Sequence, residues 1–377
     1  MNKKIIRLSK SSISKAEKNA VLAVLDTEYL GMGIQVREFE DELSKFFSRD
    51  VACVVNGTAA LHLSLQACGI GHLDEVLFPS LTYVASFQSI TATGAIPIPC
   101  DIDPQTFLID LSDARKRITN KTKAIMPVHY TGGVGDLDSI YEFAKKYNLR
   151  VIEDAAHAFG TKYNDVRVGS FGDISCFSFD GIKNITSGEG GCIITDDTKV
   201  LNRVKDLRLL GVEKDSEKRN IGKRSWKFDV KEQGWRYHMS NIMAAIGLEQ
   251  LKRFSELSNK RQLLAKKYDS LFKDHNNITP IERDYDNVVP HIYVVRIAGL
   301  KNRDKIKELL LNKGIQVGYH YQPNHWLSYM QNNDQISLPI TEKFFPELLT
   351  LPLHPDLTQK DVSYVADELA NTLKDKY

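Results

Sequence analysis

The sequence predicts an α/β fold: a large domain with a mostly parallel seven-stranded sheet between helices, followed by a smaller C-terminal α+β domain. Three observations predict it. Seven short apolar runs recur between residues 51 and 196, segments of helical periodicity separate several of them, and beyond residue 245 the chain turns to longer charged, amphipathic stretches.

In order, the runs are VACVV (51–55), EVLFPS (75–80), IPIPC (96–100), KAIMPV (123–128), RVIED (150–154), ISCFSF (174–179) and GCIITD (191–196). They are apolar throughout rather than alternating, as strands covered on both faces should be. AALHLSLQACG and DSIYEFAKKYN supply helical patterns between them, and right-handed crossovers through such helices give parallel pairing. LEQLKRFSELSNKRQLLAKKYDSLF (248–272) predicts one long amphipathic helix that hinges the two domains. A strand at IYVVRI (292–297), a helix over DKIKELLLNKG and a last helix over 360–375 complete the smaller domain. The division falls at 1–245 and 246–377, with the N-terminal segment, up to about residue 25, free to pack on the small domain.

Composition narrows the function. With 377 residues, 42% hydrophobic and 26% charged, the chain is neither disordered nor fibrous. Fifty Lys and Arg against 48 Asp and Glu give no reason to expect nucleic acid or an anionic membrane as partner. The five cysteines (Cys53, Cys68, Cys100, Cys176, Cys192) form no CxxC pair, which argues against a disulfide framework and a thiolate zinc site, so no metal is expected. MNKKIIRLSKSS has no signal-length apolar stretch behind it, and no run of about 18 apolar residues occurs. A reduced, soluble, cytoplasmic protein is the expectation.

Ligands of open α/β sheets bind beyond the carboxyl ends of the strands, so those ends carry the candidate chemistry. In VVNGTAALHL, Asn56, Gly57 and Thr58 follow a strand and open a helix, an arrangement that aims N–H groups at an anion such as phosphate. In RVIEDAAHAFG, Asp154 ends an apolar strand and is expected to be part buried, in need of a donor or cation. In FSFDGIKNITSGEGG, Lys183 lies in a loop of Gly, Ser and Thr without another cation, where a partly desolvated amine is a Schiff-base candidate. Each alone admits a plainer reading: a helix cap at Asn56, another cap at Asp154, a solvated lysine at 183. Together, a phosphate cradle, a buried aspartate, a lysine and the hydroxyl of Ser178 are what pyridoxal phosphate requires.

These segments resemble the DegT/DnrJ/StrS family of sugar-nucleotide aminotransferases, fold-type-I pyridoxal phosphate enzymes. Further matches are FPSLTYVAS (78–86), CDIDPQTFLID (100–110), PVHYTG (127–132), HMSNIMAAIGLEQL (238–251), GYHYQP (318–323) and LPLHP (351–355), in the family's order over nearly the whole chain. The resemblance implies that Lys183 bonds the cofactor aldehyde and acts as base, and that Asp154 pairs with the pyridine nitrogen. It places His157 near the ring 3-oxygen and Tyr83 stacked on the ring. Gly57, Thr58, Ala59 and Ser178 would hold the phosphate, with Glu189 and His320 toward the substrate. Two positions depart from the family: Asp180 follows FSF where relatives often carry His or Tyr, and GWRYHM (234–239) places Arg236 where relatives have an Asn that reaches the neighbouring subunit's phosphate. Arg236 is therefore either a phosphate ligand across a dimer or a partner in an interface ion pair.

The activity implied is ping-pong transamination from L-glutamate, through pyridoxamine phosphate, to a nucleotide-linked keto-sugar, within a homodimer that shares its sites. The ending ITSGEGG resembles members that aminate C4 of a 4-keto-6-deoxyhexose, with a dTDP-linked 4-keto-6-deoxyglucose as the favoured acceptor. UDP- or GDP-linked sugars, 3-keto-sugars and cyclitol ketones are the alternatives. Lys183 argues against the related 3-dehydratases, which carry His there. A non-catalytic regulator would need a basic reading segment, and SEKRNIGKRSWK (216–227) is the only cluster of that kind.

Overall fold

The computed structural model describes residues 5–219, 221, 223, 226–331 and 336–374, so part of the basic cluster at 216–227 lies outside the described residues. Seven strands form one sheet: β1 (Val51–Val54), β2 (Glu75–Pro79), β3 (Ile96–Cys100), β4 (Thr122–Ile125), β5 (Arg150–Asp154), β6 (Ile174–Ser178) and β7 (Gly191–Thr195). Their order is β1-β7-β6-β5-β4-β2-β3. Only β7 runs against its neighbours, β1 and β6; the remaining pairs are parallel. All seven predicted runs are strands. The run at 123–128 stops early, at Ile125, because Pro127 has no N–H to donate and only an isolated Val128–Asp154 bridge follows. Pro97 and Pro99 are accommodated because β3 is an edge strand.

Both faces of the sheet are covered. The helix Gly57–Ala67 packs Leu61, Leu63 and Leu65 against Ile152, Ile174 and Ile193 on one face. On the other, the helix Ile34–Phe47 presents Val36, Phe39, Leu43 and Phe47 to a core that includes Phe159, Phe177 and Phe179. Phe46, Phe47, Phe159, Phe177 and Phe254 form a chain of ring contacts with centroids 4.9–5.6 Å apart. Gly160 (φ +87°) admits Phe254 to that chain: a Cβ there would lie 2.0 Å from the Phe254 ring.

The predicted long helix over 248–272 is instead two, Asn241–Lys252 and Phe254–Phe272, meeting at Arg253 (φ −91°, ψ 1°). Arg253 is drawn out of helical geometry on both sides. Its guanidinium reaches Glu17 Oε1 at 2.6 Å and Ser12 O at 3.3 Å, while Phe254 turns into the aromatic chain. The first of the two helices also begins earlier than predicted, at a Ser240 cap.

The second sheet is antiparallel, with β8 (Ile278–Pro280), β9 (Tyr293–Ile297) and β10 (Leu348–Leu351) in that order. Helices Phe254–Phe272, Arg303–Asn312 and Gln359–Lys374 close its core with Leu264, Tyr268, Leu310, Val365 and Leu369. Ile6 joins this core and bridges Ile315, whereas the helix Lys15–Asp26 is held on Asn241–Lys252 through Glu17 and Gln250. Among the described residues no helix is long and apolar enough to cross a membrane, and no His, Cys, Asp and Glu cluster could hold a metal.

Candidate active site

Three strand ends converge at the carboxyl edge of the large sheet. After β1, Asn56 caps the helix Gly57–Ala67, and its Oδ1 accepts the N–H of Ala59 at 2.8 Å. The first-turn N–H groups of Gly57 and Thr58 lie outside the helical ladder and point past the N-terminus, where the helix dipole favours an anion. The third expected phosphate ligand, Ala59, lies in the same first turn, its N–H bonded to Asn56 Oδ1. Gly57 sits hard against the end of β6: a Cβ there would fall 2.9 Å from Ser178 Cβ. A Cβ on Gly191 would likewise meet the Asn56 carbonyl carbon at 2.6 Å. The cradle thus owes its closeness to two missing side chains, and Ser178 borders it.

Asp154 ends β5 at 6% exposure. Its partner is a donor rather than a cation: Ser86 Oγ donates to Oδ2 at 2.7 Å, and Thr82 Oγ1 lies 2.8 Å from the Ser86 hydroxyl. Oδ1 keeps a long 3.3 Å contact with the Ala156 N–H. A carboxylate held in this way is poised to receive a protonated ring nitrogen.

Lys183 follows β6 in a loop fixed from every side. Asn184 Nδ2 donates to Phe159 O and Val289 O at 3.1 Å, Ser187 N–H to Phe179 O at 2.8 Å, and Ser11 Oγ to Gly181 O. The Lys183 amine, half-buried, lies 3.4 Å from His291 Nε2. Burial pulls its pKa down to about 8, with the charge of Arg261 adding to the effect and Asp154 and Asp180 opposing it. His157 and His291, ring centroids 4.5 Å apart, are held well below the usual imidazole range by burial and then by the Lys183 charge. The amine is thus ringed by neutral imidazoles and loses its proton near pH 8, well below an ordinary lysine, as a nucleophile and base requires.

The remaining predicted residues divide into two groups. His157 Nε2 lies 3.0 Å from Tyr321 OH, and the Tyr321 ring is 5.4 Å from that of Tyr83, which is 57% exposed and free to stack on a ligand. His320 Nδ1 lies 2.9 Å from Thr350 Oγ1, and burial with the Lys183 charge lowers its pKa to about 4. Glu189 is exposed at the far side of the loop, its carboxyl raised by partial burial and by Asp180. Arg236 is not brought into this cluster. Its segment runs antiparallel to Leu209 and beside β1, Trp235 and Tyr237 pack on His62, and Arg236 itself is exposed. Sequence reading missed Ser86, Tyr321, His291 and Arg261. A histidine just ahead of an apolar strand marked His291; Arg261 gave no signal on a helix already rich in charge.

The donor set fits a flat molecule with a phosphate at one end, an aldehyde within reach of Lys183 and a basic ring nitrogen toward Asp154. The chain matches the DegT/DnrJ/EryC1/StrS aminotransferase family over residues 11–370. It is 34% identical over 358 residues to the uncharacterized protein MJ1066 of Methanocaldococcus jannaschii, covering 93% of each chain. Its structure is similar to that of Helicobacter pylori PseC, an aminotransferase involved in the biosynthesis of pseudoaminic acid (TM-score 0.91, 29% identity, 99% of this chain and 100% of that one). It is equally similar to Spr1654 of Streptococcus pneumoniae in its PLP form (TM-score 0.91, 30% identity, 98% and 99%). The chain therefore belongs to the DegT/DnrJ/EryC1/StrS aminotransferase family and is a pyridoxal-phosphate-dependent sugar aminotransferase.

Proposed function

We propose that this enzyme moves an amino group from L-glutamate to a nucleotide-linked 4-keto-6-deoxyhexose, with dTDP-4-keto-6-deoxyglucose as the first candidate acceptor. The single observation that carries the site assignment is the Lys183 amine, among neutral imidazoles, facing the buried Asp154 across the sheet edge from the Gly57–Thr58 N-terminus. Bound pyridoxal phosphate supplies the electron sink for the carbanion. Thr58 and Ser178 with the Gly57 N–H hold its phosphate, Asp154 keeps a proton on its ring nitrogen, and His157 and Tyr83 flank the ring. Lys183, an amine that is part neutral at physiological pH, would take the α-proton of the donor and return it two atoms away, in a 1,3-shift. Glu189 and His320 border the space left for substrate.

A homodimer completes the reading. Leu22, Leu25, Tyr29, Leu30 and Ile34 are exposed near a groove lined by Ile13, Val21 and Ile246, which supports burial against a second copy. Arg236 then serves the partner's phosphate. All five cysteines are free, in keeping with a cytoplasmic enzyme. The test is spectroscopic: glutamate should bleach the visible band of the loaded enzyme, and one of a panel of dTDP-, UDP- and GDP-linked 4-keto-sugars and a 3-keto-sugar should restore it. Restoration by the dTDP-4-keto-sugar supports the acceptor; restoration by another names the true one; restoration by none refutes a sugar-nucleotide acceptor.

A further inference from the structure

Two buried residues beside Lys183 have no part in the roles above. His291, 3% exposed, places Nε2 3.4 Å from the Lys183 amine, and its Nδ1 has no partner. Arg261, 1% exposed, forms no ion pair among the described residues. A buried guanidinium normally requires a carboxylate. Here four carbonyls replace it: His291 O at 3.0 Å and Leu353 O at 3.3 Å from one terminal nitrogen, Ile182 O at 3.2 Å and Lys183 O at 3.3 Å from the other. These carbonyls include those of the two residues whose side chains meet. One planar, rigid fork therefore fixes both backbones of the Lys183–His291 pair.

We infer that His291 and Arg261 form a positioning unit for the Lys183 amine: His291 Nε2 holds the amine in line whenever it is not bonded to the cofactor, and Arg261 locks the two backbones from which the pair projects. The inference rests on Lys183 being the cofactor lysine. Its logic is that of a long, freely rotating stem whose end must be found in one place at the moment a proton moves. An ammonium has donors only, so toward the charged amine Nε2 accepts and the ring proton sits on Nδ1. His291 cannot carry the proton away, because burial and the adjacent lysine keep its imidazole neutral. It holds the amine without competing as a base. The other charged and titratable groups facing Lys183 are Asp154 at the end of β5, Asp180 in its own loop, and His157 and His320, both neutral.

The test reads the amine directly. In the cofactor-free protein, the pH dependence of Lys183 acetylation is followed by peptide mass spectrometry for wild type, His291→Leu, His291→Gln and Arg261→Met. The wild-type midpoint is expected near 8. His291→Leu removes an acceptor that favours the ammonium, so its midpoint falls; His291→Gln, which retains an acceptor, returns toward wild type. Arg261→Met removes a positive charge, so its midpoint rises. In the loaded enzyme, His291→Leu should lower kcat of the glutamate half-reaction by about tenfold with KM for glutamate within about twofold, the signature of misplacement rather than lost binding. Should Arg261→Met not fold, Arg261→Lys keeps the charge but not the fork, and must lose kcat with its midpoint unmoved. Unmoved midpoints in both His291→Leu and Arg261→Met, shifts of the same sign, or wild-type kcat in Arg261→Lys would overturn the inference. Borohydride trapping of bound pyridoxal phosphate on Lys183 in wild type separately checks the reading on which it rests, and the acetylation midpoints hold whichever way that falls.

Discussion

The lysine loop (residues 180–190) and the segment at 226–238 flank the same end of the sheet and are built on opposite terms. In the loop, Asn184, Thr186 and Ser187 are buried, and its carbonyls at 181, 182 and 183 are met by Ser11 and Arg261 of the same chain. In the neighbouring segment Trp226 is 90% exposed, Phe228 60% and Val230 48%, and Arg236 shows its guanidinium to solvent. Yet Tyr237 O accepts the Val55 N–H at 2.7 Å, one residue before the Asn56 cap, so the segment is anchored at the cradle itself. A chain that meets the carbonyls of its lysine loop from within, while leaving aromatic and cationic side chains uncovered in a segment anchored at its phosphate cradle, has built the two parts of the site differently. In the dimer proposed above, that exposed part is the one a second subunit would cover.

The predictions press on that contrast, beginning with the side the chain completes by itself. Lys183→Ala should lose the glutamate half-reaction by on the order of 10⁴-fold or more, measured by single-turnover absorbance, because nucleophile and base vanish together. Asp154→Asn should lower kcat by about 10²- to 10³-fold through loss of the ring-nitrogen proton. Ser86→Ala should cost only about tenfold, since Ser86 orients Asp154 through one hydrogen bond to a charged group. Arg236→Ala should weaken cofactor affinity by about tenfold, read by titration, with kcat at saturating cofactor little changed. Mixing Lys183→Ala subunits with Arg236→Ala subunits sharpens the point. If Arg236 acts across the interface, mixed dimers contain one wild-type site and recover activity at limiting cofactor; if it acts within its own chain, they recover none.

The smallest effect concerns stability. Lys183 has a folded pKa lowered by burial from 10.5 to about 8, so between those values the unfolded chain binds more protons and native stability rises with pH. Below pH 8 both states are protonated and the burial cost is paid in full. Cofactor-free Lys183→Met should therefore melt above wild type at pH 7, by roughly 2–4 °C, and the gap should close as pH rises toward 10.5. An equal gap at both pH values would show that the amine is not desolvated.

The sequence revealed most where the physics is local. Strands buried on both faces read as unbroken apolar runs, and all seven were legible; so were the Asn56 cap and the loop that follows β6. What stayed hidden depends on distant partners. The break at Arg253 comes from Glu17 and Ser12, more than 230 residues away, inside a pattern that is helical on both sides. Arg261 sits among Lys and Glu on an amphipathic helix, and only the fold shows that its guanidinium is spent on four carbonyls instead of water. Tyr321 and His291 meet His157 where the second sheet packs on loops that follow the large sheet's strands, which no spacing encodes.

The central claim is that Lys183 is the lysine that bonds pyridoxal phosphate in a sugar aminotransferase. The most direct measurement is to load the purified enzyme with pyridoxal phosphate, reduce with borohydride, digest it, and locate the added pyridoxyl mass with and without prior glutamate. The account predicts the mass on Lys183 alone, and its disappearance when glutamate is added first. A label on another lysine, or one that glutamate leaves in place, would contradict it.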